Sequence, residues 1–303
     1  KEITYLNQLY ERGKENGLEN LKLLSEKELK EFEPHVNGIK GIHVPQTGII
    51  DYTEVSQKLK EILIENGAEF KFNEEVTDIK LSDDKVEVIT KGNSFSGGFI
   101  VSCAGLQSDR IAKMTNPDLP LRIIPFRGEY YKLTKEKERL VKTLIYPVPD
   151  PAFPFLGVHF TNLINGGVEA GPNAVFAFKR EGYSKFSFDV KDAFESLTWP
   201  GFLKVAKKYW RTGAGEFYRS FSKGAFVKAL RRLIPEVNEE DLAPGGAGVR
   251  AQACDKTGGL LDDFYFAENK RVIHVCNAPS PAATASLAIG NFIAEKIFES
   301  LND

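Results

Sequence analysis

Cysteine, methionine, tryptophan and histidine are all scarce in this chain. Its 303 residues include 3 cysteines, 1 methionine, 2 tryptophans and 4 histidines. The cysteines (Cys103, Cys254 and Cys276) lie far apart, and no Cys-x-x-Cys pair occurs. This spacing predicts neither a disulfide framework nor a cysteine zinc site, and we expect no bound metal and a reducing compartment.

Long apolar runs and a strong net charge are absent as well. The sequence has no run of about 18 apolar residues, so it predicts no transmembrane helix. The formal net charge of −2 gives no electrostatic reason to expect a nucleic-acid partner. A content of 42% hydrophobic and 27% charged residues is ordinary for a globular protein, and the length allows one or two domains.

The most informative segment lies near the C-terminus. Residues 272–276 predict a short buried strand, and Asn277, Ala278 and Pro279 predict a tight turn. A helix is expected to open at Ser280, with Pro281 in its first turn. Small residues in such a turn leave backbone N–H groups accessible, and a helix N-terminus attracts anions. The segment therefore suits a site at which negative charge develops.

The hydrophobic pattern predicts the remaining elements. Helices are expected over residues 1–17, after a capping box at Ser25 and Glu28, and from Asp51 or Thr53 to residue 66. Strands are expected at 70–72, 76–81, 85–90, 96–103, 121–124, 129–133, 144–147, 156–161 and 167–170. Residues 190–240 are expected to be mostly helical.

Several stretches of the chain resemble one superfamily of flavoenzymes. They are residues 101–109, 125–131, 146–160, 167–172, 245–250 and 277–286, which follow the family's order and span nearly the whole chain. On these residues the chain resembles the D-amino-acid-oxidase/glycerol-3-phosphate-dehydrogenase superfamily. Within it, the chain is most similar to the L-2-hydroxyglutarate oxidases/dehydrogenases.

The resemblance implies a fold and a domain organisation. The fold class is α/β (α+β), with a Rossmann-like FAD-binding domain and an antiparallel-sheet substrate domain. The FAD-binding domain is expected in two parts, 1–120 and 246–303. The substrate domain is expected at 121–245, with a helical subdomain at 190–240.

The glycine fingerprint that opens this family is not found in the sequence. A Gly-x-Gly-x-x-Gly turn between a strand and a helix normally lets the backbone approach the dinucleotide pyrophosphate. Here the chain starts at Lys1, directly in a helical pattern. We therefore predict that the first βαβ unit is missing and that residues 1–303 alone bind FAD weakly or not at all.

The resemblance also implies FAD as the cofactor and indicates which residues contact it. Ala104 and Gly105 follow a predicted buried strand, so the backbone there can lie close to a ligand. A turn that binds nothing is the alternative. The expected cofactor contacts are Val76, Ala104, Gly105, Gly248, Asn277, Ala278, Pro279, Ser280 and Ala282.

Oxidation of a secondary alcohol needs a base that titrates near neutral pH, which favours histidine. His159 is the first choice because it lies in a predicted strand of the substrate sheet, on one face with Gly157 and Thr161. A partly buried structural histidine is the alternative. His43, in a glycine-rich loop, is the second choice and a predicted substrate contact, whereas His274 is expected in the core.

Substrate carboxylates favour arginine, whose planar guanidinium binds them with two hydrogen bonds. The resemblance places Arg250 at the active-site entrance as a catalytic residue. Arg127 is a predicted substrate contact, with an ion pair to Glu129 as the alternative. Lys179 and Arg180 are weaker candidates for a second carboxylate contact. Tyr130 and Tyr131 alternate, so only one can face the pocket, and Tyr131 is the predicted contact.

Residues 191–232 combine aromatic and basic side chains. Both tryptophans, Trp199 and Trp210, lie in this segment, and basic residues are interleaved with its aromatic ones, namely Lys204, Lys207, Lys208, Arg211, Arg219, Lys223, Lys228, Arg231 and Arg232. Such a surface can lie on an anionic membrane, as a dehydrogenase that reduces a membrane quinone requires. A helical subdomain with a buried aromatic face is the alternative. The chain is expected in the cytoplasm. Peripheral contact with the inner face of the membrane is the alternative.

The resemblance implies oxidation of L-2-hydroxyglutarate, a 2-hydroxy dicarboxylate, to 2-oxoglutarate by hydride transfer to FAD. One alternative is another oxidoreductase of the superfamily that acts on glycerol 3-phosphate or an amino acid. The other is a non-catalytic fragment that cannot hold FAD.

Overall fold

The structure, a computed structural model, describes residues 2–149, 157–279 and 281–302. Eight α-helices occur in these ranges. They are α1 (Glu2–Glu15), α2 (Glu26–Phe32), α3 (Tyr52–Glu65), α4 (Ser108–Lys113), α5 (Val190–Leu197), α6 (Pro200–Phe221), α7 (Lys223–Leu230) and α8 (Ser286–Asn302).

The same ranges contain thirteen β-strands. They are β1 (Lys22–Ser25), β2 (Lys40–His43), β3 (Val76–Leu81), β4 (Val86–Thr90), β5 (Ser94–Gly97), β6 (Ile100–Ser102), β7 (Leu121–Leu133), β8 (His159–Asn162), β9 (Val168–Gly171), β10 (Val175–Phe176), β11 (Leu242–Asp255), β12 (Tyr265–Asn269) and β13 (Val272–Asn277). A five-stranded sheet has the order β10-β7-β9-β8, with β11 also paired to β7. Three smaller sheets are β12-β13-β6, β3-β4-β5 and β1-β2.

Local sequence signals explain the first helices. Helix α2 begins in the predicted capping box, in which the Ser25 hydroxyl accepts a hydrogen bond from the Glu28 N–H and the Glu28 carboxylate accepts one from the Ser25 N–H. The Asp51 carboxylate caps α3 by accepting hydrogen bonds from two backbone N–H groups of its first turn. Both predicted helix starts are confirmed, because these side chains satisfy donors that lack partners within the helix.

The longest ladder of the fold joins β7 to β11. The two strands predicted at 121–124 and 129–133 are one strand of 13 residues, which pairs with β11 from Leu121↔Asp255 to Leu133↔Leu242. The register shifts between Pro244 and Ala247, at a bulge. A Cβ on Gly245 would lie 2.6 Å from the carbonyl oxygen of Tyr130, so this bulge requires glycine. The predicted boundary between 245 and 246 falls inside β11, and the domain division stays a prediction.

Other predicted strands differ from the structure. Residues 70–72 and 144–147 are not strands, although Ile145 forms an isolated bridge with Phe160. The strand predicted at 96–103 is divided into β5 and β6, and β5 starts earlier, because Ser94–Gly97 turns back to pair with β4. Strand β8 starts at His159, later than predicted, while Leu156 lies outside the described residues.

The C-terminal helix begins later than the sequence predicts. Residues 281–285 form turns, and α8 starts at Ser286. Ser280, the predicted N-cap, lies outside the described residues. A proline in a first turn restricts its own φ, but it does not compel the following residues to continue as a helix.

Side chains on β7 contact separate layers of the core. Leu133 packs with Phe160 and with Phe226 of α7, and Ile123 packs with Ala112 of α4 and with β13. Ile124 packs with Trp199 and Phe202 beside the start of α6. Strand β7 therefore connects the sheet with the helices on both of its faces. The three cysteines are free thiols, and no disulfide links them.

Candidate active site

Two loops leave the small sheet β12-β13-β6 at the same edge. Strands β6 and β13 are parallel and in register, with Ser102 opposite His274, so residues 103–105 and 278–279 follow neighbouring strand ends. Gly105 has a φ of +50°, and a Cβ on it would meet nothing within 4 Å. The carboxyl edge of parallel strands is where open α/β sheets bind ligands. The backbone at this edge is accessible for such contact.

Asn277 has a structural role at this edge. Its side-chain oxygen accepts a hydrogen bond from Ala253 N–H at 3.3 Å, and its amide nitrogen donates to the carbonyls of Leu261 and Asp263. The side chain is buried, so a cofactor contact at Asn277 would have to use the backbone. The amide thereby joins β13 to β11, and it aligns the small sheet with the five-stranded one.

His159 starts β8, at the edge of the five-stranded sheet. Its Nδ1 lies 3.1 Å from the carbonyl oxygen of Gly157, and its ring stacks on Tyr146 with centroids 4.1 Å apart. A nitrogen beside a carbonyl carries the proton and donates it, so in neutral His159 Nε2 has the basic lone pair. Burial lowers the pKa of His159, and the bond to Gly157 opposes this only in part. The imidazole is therefore neutral and basic near pH 7.

The strand registers place His159 and Arg250 on one face of the sheet. His159 is opposite Gly171, Ala170 is opposite Tyr131, and Arg250 is opposite Phe126. Because residues alternate between faces along a strand, the even-numbered residues of β7 share the face of both His159 and Arg250. We name this surface the His159 face. Its members are Phe126, Gly128, Tyr130, His159, Gly171, Gly248 and Arg250.

Arg250 is half-buried on this face. Burial lowers the pKa of its guanidinium, which nevertheless stays protonated at neutral pH. Poor solvation strengthens the attraction of such a cation for a carboxylate. Gly248, two residues earlier, has open space where a side chain would extend. Arg250 and Gly248 thus combine a cation with an uncovered stretch of backbone.

Two predicted substrate contacts lie on the opposite face. Arg127 donates to the Glu129 carboxylate from Nε at 3.1 Å and from Nη2 at 2.8 Å, and its Nη1 donates to the Ser184 carbonyl. Tyr131 packs edge-on against Phe226, with ring centroids 4.8 Å apart. For Arg127 the structure favours the ion pair. For Tyr131 it favours a core position, because its ring packs on Phe226 of α7.

Arg180, a weaker candidate for carboxylate binding, is also engaged within the protein. It is 1% exposed, and its Nη2 donates to Asp109 at 2.9 Å and to Glu195 at 3.2 Å. Its Nη1 donates to the Leu106 carbonyl at 2.6 Å. Arg180 therefore connects α4 with α5 and is not available to a substrate.

A large cavity lies beside β2 and the loop that carries Tyr146. Its volume is about 1110 Å³, and its lining includes His43, Tyr146, Asn173, Glu216 and Arg219. The His43 ring stacks on Phe32, and its buried Nδ1 has no hydrogen-bond partner among the described residues. Tyr146 lines the cavity and also stacks on His159, which is itself not among the lining residues. The cavity therefore neighbours the predicted base without containing it.

The other residues singled out from the sequence, two predicted FAD contacts and His274, lie in separate parts of the fold. Val76 opens β3 opposite Thr90, in a sheet separate from β6 and β13. Ala282 is half-buried in the turns before α8. His274 is fully buried with Nε2 2.7 Å from the Thr115 hydroxyl, which confirms the predicted core position.

Sequence reasoning missed Tyr146. Its residue type and its place within a family-like stretch were visible, but its stack on His159 depends on a non-strand loop returning to β8. Such a long-range contact leaves no periodic signal in the sequence.

Comparisons with known proteins identify the family of this chain. The model of the family described as FAD dependent oxidoreductase matches residues 1–296. The chain belongs to this family. A relative in Indibacter alkaliphilus named L-2-hydroxyglutarate dehydrogenase is 55% identical over 296 residues, which are 97% of this chain and 74% of the relative. An Escherichia coli protein of the same name is 42% identical over 98% of this chain and 70% of its own length.

A solved structure supports the fold of this FAD-dependent oxidoreductase. The FAD-bound L-alpha-glycerophosphate oxidase of Mycoplasma pneumoniae matches all of the chain and 70% of its own length, with a TM-score of 0.73 and 22% identity. These comparisons confirm the predicted family, the fold class, FAD as the cofactor and the enzyme class.

The described residues fit one end of such a cofactor. The open space at Gly105 and Gly248, together with the shared edge of β6 and β13, lets the backbone approach a planar group closely. Ala104, Gly105, Ala278 and Pro279 would hold it. These four positions, with Val76, Gly248, Ser280 and Ala282, stay predictions for FAD contact.

Proposed function

We propose that this protein oxidises L-2-hydroxyglutarate to 2-oxoglutarate. The proposal agrees with the names of relatives that are 42–55% identical to it. The observation that carries it is the His159 face, which has a basic imidazole nitrogen on β8 and a half-buried guanidinium on β11, three strands away. A 2-hydroxy dicarboxylate needs both, one to remove a proton and one to bind a carboxylate.

Each residue has a defined part in the reaction. Nε2 of His159 takes the proton of the substrate hydroxyl as the C2–H bond breaks, and the Gly157 carbonyl keeps the Nδ1 proton in place. Arg250 binds the carboxylate farther from C2. FAD, when bound, accepts the hydride from C2. Tyr146 keeps the imidazole in one orientation by stacking on it, which lowers the cost of alignment.

The test is the visible spectrum of the FAD-loaded protein, recorded without oxygen before and after L-2-hydroxyglutarate is added. We expect the flavin absorbance to bleach, and the D-enantiomer serves as the control. A flavin that bleaches only with glycerol 3-phosphate or an amino acid would reject the substrate but keep the family. A preparation that stays colourless after addition of FAD would favour the non-catalytic fragment.

We also propose that a membrane surface is a partner of this protein, with a quinone as electron acceptor. Among the described residues, no helix is both long and apolar enough to span a membrane. On α6, however, Leu203, Trp210, Tyr218 and Phe221 are between 52% and 68% exposed. Lys204, Lys207, Lys208 and Arg211 are exposed on the same helix. Exposed aromatic and basic side chains on one helix favour adsorption to anionic lipid.

Sedimentation with lipid vesicles tests this contact. We expect wild-type protein to bind vesicles that contain phosphatidylglycerol and to bind pure phosphatidylcholine weakly. A Lys204→Glu/Lys207→Glu/Lys208→Glu variant should bind the anionic vesicles at least about tenfold more weakly, since each basic residue near the surface contributes about 1 kcal/mol. The control changes the same number of lysines on α1 and α3: Lys14→Glu/Lys58→Glu/Lys60→Glu. Equal losses in both variants would show a general charge effect and reject α6 as the contact.

A further inference from the structure

One row of the His159 face contains a tyrosine, Tyr130, two strands away from His159. Tyr131 is opposite Ala170 in β9, and Ala170 is opposite Phe160 in β8. One residue along, the same antiparallel registers align Tyr130 with Gly171 and Gly171 with His159. Tyr130 and His159 therefore point to the same side of the sheet, with only a glycine between them.

Gly171 leaves the space that Tyr130 uses. A Cβ at position 171 would lie 3.0 Å from Cδ1 of Tyr130 and 2.8 Å from the carbonyl oxygen of Glu129. The φ of Gly171 is +149°, a conformation that side chains disfavour. The Tyr130 ring thus lies over the Gly171 backbone instead of standing away from the sheet. Among the described residues of this row, Gly171 puts no side chain between Tyr130 and His159.

Distances along the sheet show why such a residue is needed. Arg250 and His159 are three strands apart, which is about 14 Å at normal strand spacing. Along β7, the residue aligned with Arg250 (Phe126) and the one aligned with His159 (Tyr130) are about 13 Å apart. Tyr130 and His159 are only two strands apart, about 10 Å between backbones. A carboxylate attached to C2 must lie close to His159. The Tyr130 side chain starts much nearer to that place than Arg250 does.

We propose that the Tyr130 hydroxyl donates a hydrogen bond to the carboxylate on C2 of the substrate and so positions C2 beside His159. This inference rests on the proposed function. Arg250 then binds the distal carboxylate, so the two ends of the dicarboxylate have separate partners on one face. Tyr130 is a substrate-binding residue in this assignment, and His159 alone exchanges the proton.

The chemical state of Tyr130 suits a donor. Burial raises the pKa of its hydroxyl, and the nearby Glu169 and Tyr146 raise it further. The phenol therefore stays protonated throughout the neutral range. A hydrogen bond from a neutral phenol to a carboxylate is charge-assisted, and such bonds are stronger than those between neutral groups.

The adjacent tyrosine supplies a matched control. Tyr131 has the same side chain one residue later, but it packs on Phe226 on the opposite face. Tyr130→Phe and Tyr131→Phe each remove one hydroxyl and leave the ring. If Tyr130 only filled space, both variants would behave as wild type does, because the ring and its packing are retained.

The experiment measures binding of 2-oxoglutarate by calorimetry and flavin reduction by L-2-hydroxyglutarate, both with FAD-loaded protein. We expect Tyr130→Phe to weaken 2-oxoglutarate binding by about tenfold or more, as loss of a hydrogen bond to a charged group predicts. KM should rise by a similar factor. Tyr131→Phe should leave both unchanged, and the unfolding temperature of each variant should stay near that of wild type.

Three outcomes separate failure of the proposed function from failure of the Tyr130 assignment. If wild-type flavin does not bleach with L-2-hydroxyglutarate, the proposed function is wrong. If wild type bleaches but Tyr130→Phe binds 2-oxoglutarate and turns over as wild type does, the assignment of Tyr130 is overturned and the function stands. An equal loss in Tyr131→Phe would likewise overturn it, because that hydroxyl is on the other face.

Discussion

Replacing His159 with alanine should slow flavin reduction by L-2-hydroxyglutarate about 10²–10⁴-fold, the usual contribution of a positioned general base. The reason is that Nε2, the nitrogen left unprotonated by the contact of Nδ1 with Gly157, is lost. Stopped-flow absorbance without oxygen measures this rate directly. His159→Asn keeps a polar side chain and should show a loss of similar size.

The pH dependence of the same rate provides an independent check. Burial holds the pKa of His159 below its ordinary value of 6.5. Because only the neutral imidazole accepts a proton, the rate should reach a plateau once the pH is well above the lowered pKa. It should fall as the pH decreases through the lowered pKa. In His159→Ala this decrease should disappear.

His35→Ala is the matched control for His159→Ala. His35 Nδ1 lies 2.8 Å from the Glu236 carboxylate, and His35 is not a member of the His159 face, so its loss should leave the reduction rate unchanged. FAD content and unfolding temperature show whether each variant keeps its fold. A wild-type rate in a folded, FAD-loaded His159→Ala would remove His159 from the mechanism and leave His43 as the next candidate.

Replacing Arg180 with methionine should reduce the free energy of unfolding by about 3–5 kcal/mol, the usual result of removing one partner of a buried ion pair. The side chains of Arg180 and Asp109 are 1% and 2% exposed. Methionine keeps most of the apolar volume, but it leaves the Asp109 carboxylate buried without its main cation. Denaturant unfolding measures the loss.

Two further variants test whether the unpaired Asp109 carboxylate causes the loss of stability. Asp109→Asn added to Arg180→Met removes that charge, so the double variant should recover part of the lost stability. Lys58→Met breaks the exposed pair with Glu61 and should leave the midpoint of unfolding unchanged. If Arg180→Met unfolds at the same denaturant concentration as wild type, the buried pair does not hold α4 to α5.

Local chemistry made part of the fold and of the site predictable. The capping residues Ser25 and Asp51 act within one helical turn, so their roles follow from neighbouring residues alone. Strand β3 occupies the predicted residues because its pattern is short and regular. The choice of His159 as base also came from local alternation, which assigned it to one face of its strand.

What local sequence could not determine was which elements lie next to one another. Alternation along β7 requires Tyr130 and Tyr131 to point in opposite directions, but only the pairing with β9 and β8 shows which one shares the face of His159. The same pairing separates Arg127 from Arg250. Arg180 carried no signal of burial, since its partner Asp109 is 71 residues away in the chain.

The sequence by itself determined the family, the cofactor, the starts of helices α2 and α3 and the residue types able to do the chemistry. All of these depend on residue identity or on contacts within a few residues. The tertiary structure alone decided the strand registers, the ion pairs of Arg127 and Arg180, and the row of Tyr130, Gly171 and His159. The physical reason is that a shift of one residue in strand pairing moves every side chain to the other face, and only packing between distant segments fixes that register.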